Sequence, residues 1–406
     1  MSKKNVCVVG LGYIGLPTAA LLAANGYDVV GVDISPTVVA TINEGRIHIV
    51  EPLLDQFVQK AVSSNKLRAF GSPQPSDVYM LCVPTPFHEG PGIPQPNIDF
   101  VLTATRSIAT LLKAGDMVIL ESTSPVGTTE LVVNELAAAG VDTSSLAIAY
   151  CPERVLPGKI MIELVENDRI VGGISPASTV AVAEFYRSFV RGEVMETDAR
   201  TAEMCKLTEN SFRDVNIAFA NELSIIADRE HIDVWRLIEL ANRHPRVSIL
   251  QPGAGVGGHC IAVDPWFIVS RNPEEAQLIR HARLVNDGKT DWVIAKICEA
   301  ALAFEAKFDQ KPVIGCLGLA FKPDIDDLRE SPAVSIADEL MRQSFAVVCV
   351  EPNIASSTQF VLRDLEAALA TCDIFAILVK HSLFVEEGFR RKVSQNIVLD
   401  FCGALT

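Results

Sequence analysis

The sequence predicts an α/β fold in which two parallel sheets, each wrapped by helices, are separated by a helical middle section. Three observations carry that expectation. Between residues 5 and 149, short apolar runs alternate with helical stretches, the pattern of a parallel sheet with crossover helices. Residues 201–228 then form one long helical pattern without Gly or Pro. From Pro312 the strand–helix alternation returns and continues to residue 400.

In chain order, residues 5–10 (Asn-Val-Cys-Val-Val-Gly) make a short apolar strand, and residues 17–24 a helix closed by Asn25-Gly26. Val29-Val30-Gly31-Val32-Asp33 is the next strand, and others fall at 78–83, 117–121 and 146–149. The loop 84–96, rich in Pro and Gly, is expected to move over a bound cofactor. After residue 228 more helix follows to about residue 241, then a Gly-rich turn around Cys260, then helix again to 303. A strand at 313–318, a helix from Ser331 and strands at 346–350, 374–379 and 397–400 complete a second, smaller α/β domain. No sequence identity between the two α/β segments is visible, so a remote internal repeat stays open. The expected domains are residues 1–198, 199–305 and 306–406.

At 406 residues the chain has room for two or three domains, and its 49% hydrophobic against 21% charged residues is a globular balance. A formal net charge of −15 argues against a nucleic-acid backbone as partner. An anionic substrate would need local Arg and Lys clusters instead. Met1-Ser2-Lys3-Lys4-Asn5 runs straight into a strand and no apolar run approaches a membrane span, so neither a signal peptide nor a membrane partner is expected. The ten cysteines are scattered without a C-x-x-C pair, and Cys7, Cys82, Cys316 and Cys349 lie inside apolar runs as small core residues. That usage points to a reducing, cytoplasmic setting.

Gly10-Leu11-Gly12-Tyr13-Ile14-Gly15 stands between a strand and a helix, and Asp33 ends the following strand. This context turns a common glycine pattern into a dinucleotide-binding fingerprint. The glycines let the backbone approach a pyrophosphate resting on the helix start. Asp33 would bond the adenosine ribose hydroxyls and repel a 2′-phosphate, which favours NAD over NADP. In Glu121-Ser122-Thr123-Ser124-Pro125-Val126-Gly127-Thr128-Thr129, Thr123 is placed to face the nicotinamide and a water, while Thr128 or Thr129 also reads as a helix cap. In Tyr150-Cys151-Pro152-Glu153-Arg154-Val155, Glu153 suits the handling of water and Arg154 a phosphate; a surface Glu–Arg pair is the competing reading.

Lys206 and Asn210 are four apart in the long helix and share a face, with Arg213 nearby. Lys206 can stabilise an alkoxide as a cation or, if neutral, take its proton. A solvated polar stripe is the alternative, weakened by the apolar Leu207, Phe212, Ile217, Ala218, Phe219 and Ala220 around it. Gly255-Val256-Gly257-Gly258-His259-Cys260-Ile261-Ala262-Val263-Asp264-Pro265 sets one cysteine in a glycine-rich turn with a carboxylate four residues later. A nicotinamide cofactor removes hydride from an alcohol without a thiol. A cysteine becomes necessary when the aldehyde product must be trapped and oxidised again, so the fingerprint and Cys260 together point to oxidation of an alcohol to a carboxylate. No other His or Cys has ligand spacing to His259, and no metal site is expected. Asn242-Arg243-His244-Pro245-Arg246 is a basic patch suited to a diphosphate or sugar, and residues 321–332, from Phe321-Lys322-Pro323 to Leu328-Arg329-Glu330-Ser331-Pro332, form a second basic loop at a strand end.

The chain resembles the UDP-glucose/GDP-mannose dehydrogenase family over nearly its full length. Residues 10–17, 47–52, 83–87, 121–127, 149–157, 200–222, 241–246, 255–268 and 318–332 carry the likeness. It implies two Rossmann-like doubly wound domains joined by a central helical domain, whose long connecting helix forms the interface of a homodimer or higher oligomer. It implies NAD-dependent, two-step oxidation of the C6 hydroxymethyl of a nucleotide sugar. UDP-N-acetyl-D-mannosamine is the leading substrate; UDP-glucose, UDP-N-acetylglucosamine, UDP-N-acetylgalactosamine, GDP-mannose and a two-electron β-hydroxyacid reaction are the alternatives. By the same resemblance Cys260 is the nucleophile and Lys206 the acid/base or oxyanion-stabilising group, while Asp264, Glu153, Thr123 and Asn210 order and activate water. The UDP-sugar contacts are Arg154, Val155, Lys206, Asn210, Arg213, His244, Arg246, Gly257, Phe321, Lys322 and Arg329. The NAD contacts are Gly10, Gly12, Tyr13, Ile14, Gly15, Asp33, Thr85, Thr123 and Thr129. One departure is that Asp400 is followed by Phe401-Cys402-Gly403-Ala404-Leu405-Thr406, without the basic residue relatives carry there, so a C-terminal contact to the nucleotide stays open.

Overall fold

The structure, a computed structural model, describes residues 4–88, 90, 92–258, 260–394 and 396–406. Residues 1–3 and His259 lie outside the described residues, and with them the expectations attached to the N-terminus and to a metal at His259. The chain divides into two compact units: Met1–Thr208 with Trp266–Arg271, and Glu209–Pro265 with Asn272–Thr406.

The first unit opens with β1 (Asn5–Val9), α1 (Gly15–Ala24), β2 (Asp28–Val32), α2 (Pro36–Asn43), α3 (Leu54–Ser63), β3 (Leu67–Phe70) and β4 (Val78–Leu81). A ribbon of β5 (Phe87–His88) and β6 (Gln95–Pro96) precedes α4 (Asp99–Ala109), β7 (Met117–Leu120), α5 (Thr128–Ala138) and β8 (Ala147–Tyr150). Then come α6 (Ile160–Glu166), β9 (Arg169–Gly173), α7 (Pro176–Arg187) and β10 (Val194–Asp198). The eight-stranded sheet has the order β10-β9-β8-β7-β4-β1-β2-β3. All its pairs are parallel except β8 with β9. Val6 and Val8 of β1 enter one core and Cys7 and Val9 the other, so both faces are covered by helices. Burial on two sides is why the central strands read as unbroken apolar runs.

Three strands escaped that reading. β3 and β10 sit at the sheet edges and are only partly buried, with Arg68, Met195 and Glu196 exposed, so their apolar signal is diluted. β9 ends in Gly172-Gly173, where a Cβ would lie 2.3 Å from the Asp198 carbonyl oxygen or 2.4 Å from the Thr179 nitrogen. In the loop expected to move, the described residues include the β5–β6 ribbon, Asn97 N–H donates to Pro86 O at 2.6 Å, and Phe87 lies edge-on to Phe267.

Helix α8 (Ala199–Arg229) is followed by α9 (Val234–Ala241), α10 (Asp264–Arg271) and α11 (Gln277–Phe308). The chain then forms β11 (Val313–Leu317), α12 (Pro332–Arg342), β12 (Ala346–Val350), α13 (Leu365–Thr371), β13 (Ile374–Ile377), α14 (Ser382–Val385), α15 (Glu387–Val393) and β14 (Ile397–Asp400). In the second unit β12-β11-β13-β14 is a fully parallel sheet. Val293, Ile297 and Ala301 of α11 and Ile336 and Leu340 of α12 share a core with Ile314 and Cys316, while Phe375, Phe384 and Phe389 fill the other face. The C-terminal segment folds back on Asp400, whose carboxylate accepts the N–H groups of Cys402 and Leu405 at 3.1 and 2.8 Å. The architecture is that of two Rossmann-like parallel-sheet domains with long central helices.

Candidate functional site

The end of β1 and the start of α1 form a cradle. Gly10 has φ +93°, and its N–H donates to Val32 O at 2.8 Å. A Cβ at Gly10 would lie 2.5 Å from the Cys82 carbonyl oxygen, and one at Gly15 1.8 Å from Gly10 O. Those two glycines are required by packing. Around Gly12 a Cβ would meet nothing within 4 Å, so this is the open side of the turn. Tyr13 and Ile14 lead into α1, whose start has no side-chain cap and no acidic residue. Asp33 follows β2; its Oδ2 accepts Leu11 N–H at 3.1 Å and its Oδ1 accepts Ser35 N–H at 2.9 Å. An open glycine turn, an uncapped helix start and a carboxylate at the second strand end fit NAD. His48 lies electrostatically beside Asp33, and burial lowers its pKa against the pull of that carboxylate; the sequence reading gave it no role.

At the ends of β4 and β7, Thr85 Oγ1 donates to Thr123 O at 2.6 Å, which joins two of the expected cofactor contacts. Helix α5 starts from Gly127 at φ +94°. Glu203 of α8 accepts Gly127 N–H at 2.5 Å, Thr129 N–H at 2.8 Å and Thr129 Oγ1–H at 2.7 Å. Thr129 is fully buried with its hydroxyl engaged in this cap. Lys206, one turn along α8 from Glu203, is also buried, which removes the solvated-stripe reading for it.

Glu153 and Arg154 are not a surface pair. Glu153 is buried; its Oε2 meets Arg169 Nη1 at 2.5 Å and its Oε1 accepts the Arg154 N–H at 2.7 Å. Arg169 Nη2 also donates to Leu164 O at 2.9 Å. Arg154 Nη1 donates to Asp168 O at 3.2 Å, and Val155 packs on the core. Glu51 accepts the N–H groups of Gly158 and Ile160, both at 2.8 Å, and pins the far end of the segment. Beside it, Glu121 accepts Tyr186 OH at 2.6 Å and Cys82 Sγ–H at 3.2 Å. Burial and the neighbouring Glu153 push Glu121 up to about 7, against Arg169 and the two hydrogen bonds. Glu51, Arg169 and Glu203 had no signal in the local sequence, because their partners are 109, 16 and 74 residues away.

In the second unit, Asn210 Nδ2 donates to Asp264 Oδ2 at 2.5 Å, both side chains being buried. The N–H groups of Val263 and Asp264 donate to Cys260 O at 3.1 and 2.9 Å, so the turn bearing the cysteine is closed onto that carboxylate residue. Cys260 is exposed, and none of the ten cysteines is in a disulfide. Cys7 and Cys151 are buried thiols pushed up by desolvation to about 11 and about 12. A Cβ at Gly257 would lie 2.4 Å from Glu330 O and 2.8 Å from Phe321 Cβ; one at Gly258, where φ is +82°, would lie 2.8 Å from the Phe321 ring. The cysteine turn therefore rests on the Phe321 loop. Lys322 is exposed, and Arg329 pairs with Asp327 at 2.6 Å. Arg213, His244 and Arg246 are exposed; His244 Nδ1 accepts Arg246 N–H at 3.3 Å, and Asn242 clamps both backbone groups of Ile249.

The second sheet repeats the first cradle. Gly318 has φ +88° and donates its N–H to Val350 O at 2.8 Å, as Gly10 does to Val32. Glu351, placed as Asp33 is, accepts the N–H groups of Leu319 and Ala320 at 2.7 and 2.9 Å. Burial would raise Glu351, but hydrogen bonds from His381 and from the N–H groups of Leu319, Asn353 and Ala320 outweigh it and hold its pKa at about 2.

Comparison with known proteins completes the assignment. Residues 4–190 match the NAD binding domain of the UDP-glucose/GDP-mannose dehydrogenase family, 200–288 its central domain and 315–406 its UDP binding domain. The chain is 53% identical to an NDP-N-acetyl-D-galactosaminuronic acid dehydrogenase of Ralstonia nicotianae, over 98% of this chain and 96% of the relative. It is also 53% identical to a UDP-N-acetyl-D-mannosamine dehydrogenase of Yersinia pestis, over 95% of each. Among solved structures, a UDP-N-acetyl-mannosamine dehydrogenase from S. aureus superposes with a TM-score of 0.90 at 40% identity, covering 99% of this chain and 96% of that one. Fold and matches together define an NAD-dependent nucleotide-sugar dehydrogenase. The chain belongs to the UDP-glucose/GDP-mannose dehydrogenase family, and its UDP binding domain sets the β-hydroxyacid alternative aside.

Proposed function

We propose that the protein oxidises the C6 hydroxymethyl of UDP-N-acetyl-D-mannosamine to the carboxylate, consuming two NAD and one water per sugar. The observation that carries this reading is the turn at Cys260: an exposed thiol on a backbone closed onto Asp264, which Asn210 holds. NAD, when bound, accepts the hydride in each step. Gly10, Gly12, Tyr13, Ile14, Gly15, Asp33, Thr85 and Thr123 would hold it. Lys206 stabilises the developing alkoxide or takes the hydroxyl proton as hydride leaves C6, giving the aldehyde. Cys260 adds to that carbonyl carbon, and the thiohemiacetal becomes a thioester on the second oxidation. Water, ordered by Glu153, Asp264, Asn210 and Thr123, cleaves the thioester and returns the thiol. The ion pair with Arg169 keeps the Glu153 carboxylate fixed.

Arg154, Val155, Arg213, His244, Arg246, Gly257, Phe321, Lys322 and Arg329 form the UDP-sugar contact set in this reading. UDP-N-acetylgalactosamine is the second reading, because the galactosaminuronic relative is as similar as the mannosamine one. Ten cysteines without a disulfide support a reducing, cytoplasmic setting. No helix among the described residues is long and apolar enough to cross a membrane.

A substrate panel with NAD, read by NADH yield and by mass spectrometry of the product, tests both parts. Cys260→Ala should abolish uronic acid formation while NAD and UDP-sugar binding persist. Acid formation by Cys260→Ala at the wild-type rate would sink the covalent route. Turnover of another sugar in preference to UDP-N-acetyl-D-mannosamine would replace the substrate.

A further inference from the structure

His381 is the fully buried histidine of the second sheet domain, and the chemistry above makes no use of it. A buried imidazole is costly unless both nitrogens are bonded. Here both are. Asp324 N–H donates to His381 Nδ1 at 3.0 Å, which leaves the ring proton at Nε2, 3.1 Å from Glu351 Oε2. Glu351 in turn holds the N–H groups of Leu319 and Ala320. The ring thus spans from the strand-end carboxylate to the far side of the loop that begins at Gly318.

The rest of that loop is equally fixed. Asp324 adopts φ +59°, a left-handed conformation that few non-glycine residues take. Ser382 holds its carboxylate through N–H and Oγ–H at 2.9 and 2.5 Å. Phe321 N–H donates to Asp327 O at 3.0 Å, and Ser331 Oγ donates to Leu319 O at 2.6 Å. The loop presents Phe321 to Gly257 and Gly258, the two glycines just before the nucleophile turn, with no room for a Cβ between them. A displaced loop therefore displaces the turn that carries Cys260.

We propose that His381, bridging Glu351 to Asp324, is a positioning residue that sets the Phe321 loop and, through Gly257-Gly258, the Cys260 turn. The proposal rests on the reading of Cys260 as nucleophile and of Phe321-Lys322 as substrate contacts. It differs from a stabilising role in what it moves. Small misplacements at a reacting centre cost rate and affinity far more than they cost folding. NAD binding, assigned to the other sheet domain, should be left alone.

The test uses full-length His381→Leu, His381→Asn and Asp324→Ala, assayed well below their melting temperatures with the best sugar of the panel. For His381→Leu, kcat/KM for the nucleotide sugar should fall on the order of ten-fold or more while KM for NAD stays within about two-fold. The rate at which iodoacetamide alkylates Cys260 in the free enzyme, followed on its peptide by mass spectrometry, should change as well. His381→Asn keeps an acceptor near Nδ1 for the Asp324 N–H and should recover part of the loss. Asp324→Ala keeps the N–H that bonds His381 but removes the carboxylate that Ser382 holds, and it tests the placement of the loop should His381→Leu fail to fold. Variants that melt earlier but keep the sugar KM, kcat and alkylation rate of wild type would overturn the proposal. These outcomes separate from the underlying reading: acid formation without Cys260 removes the nucleophile itself, whereas an essential Cys260 beside silent His381 and Asp324 variants removes only the clamp.

Discussion

A carboxyl group buried beside another carboxylate holds its proton longer than it would in water, and Glu121 is such a group. In the folded chain it titrates near 7, raised chiefly by burial; in the unfolded chain it releases its proton near about 4.3. Between those values the folded state binds more protons than the unfolded one, so this residue makes stability fall as pH rises through that window. The contribution is at most about 4 kcal/mol. Glu121→Gln should flatten the decline in melting temperature between about pH 4 and pH 7; an unchanged slope in calorimetry would refute it. Little of this was legible in the sequence. The string 121–129 identified a strand end, but Tyr186 and Arg169, which decide the chemistry of Glu121 and Glu153, arrive from α7 and β9. By contrast the turn at Gly10 and the place of Asp33 at the next strand end were readable, because fingerprint, strand and helix are contiguous.

At the scale of elements, α8 carries the clearest difference between expectation and structure. Its apolar residues suggested a buried flank around Lys206. Instead Glu203, Lys206, Asn210, Asp214 and Asn221 are buried, while Phe212 and Phe219 are 67% and 57% exposed. The polar face is used: Asp214 bonds Arg283 and Asn286 of α11 at 2.6 and 2.8 Å, and Asn221 bonds Asn286 and Gly253 N–H. A hydrophobic period cannot reveal this, since it assumes that polar residues face water. Glu203 shows the same point as a helix cap supplied from a distance. Glu203→Ala leaves three buried donors at the start of α5 without their acceptor, and should cost about 2 kcal/mol or more in chemical denaturation. Glu203→Gln, which keeps an acceptor, should cost less. Equal stability of wild type and Glu203→Ala would mean that the cap contributes nothing.

For the molecule as a whole, the exposed side of α8 bears on assembly. Phe212, Phe219 and Ile226 are seven residues apart, so they form one apolar stripe along the helix, and Ile226 is 50% exposed. Large apolar side chains in a continuous exposed stripe mark a contact surface, which is the face the homodimer implied by the family resemblance would use. Phe219→Asp should convert a dimer to monomers in light scattering; a monomeric wild type would remove that expectation. The sequence by itself determined the α/β class, the order of the larger elements, the cofactor cradle and the cysteine turn, because each depends on neighbours within a few residues or on a strand buried on both faces. Only the tertiary structure decided which carboxylates are capped, paired or kept protonated, which face of α8 is covered, and that the loop after Gly318 repeats the turn after Gly10 and packs on Gly257 and Gly258. Those properties come from side chains brought together across long stretches of chain, and burial rather than residue type then sets their charge and their partners.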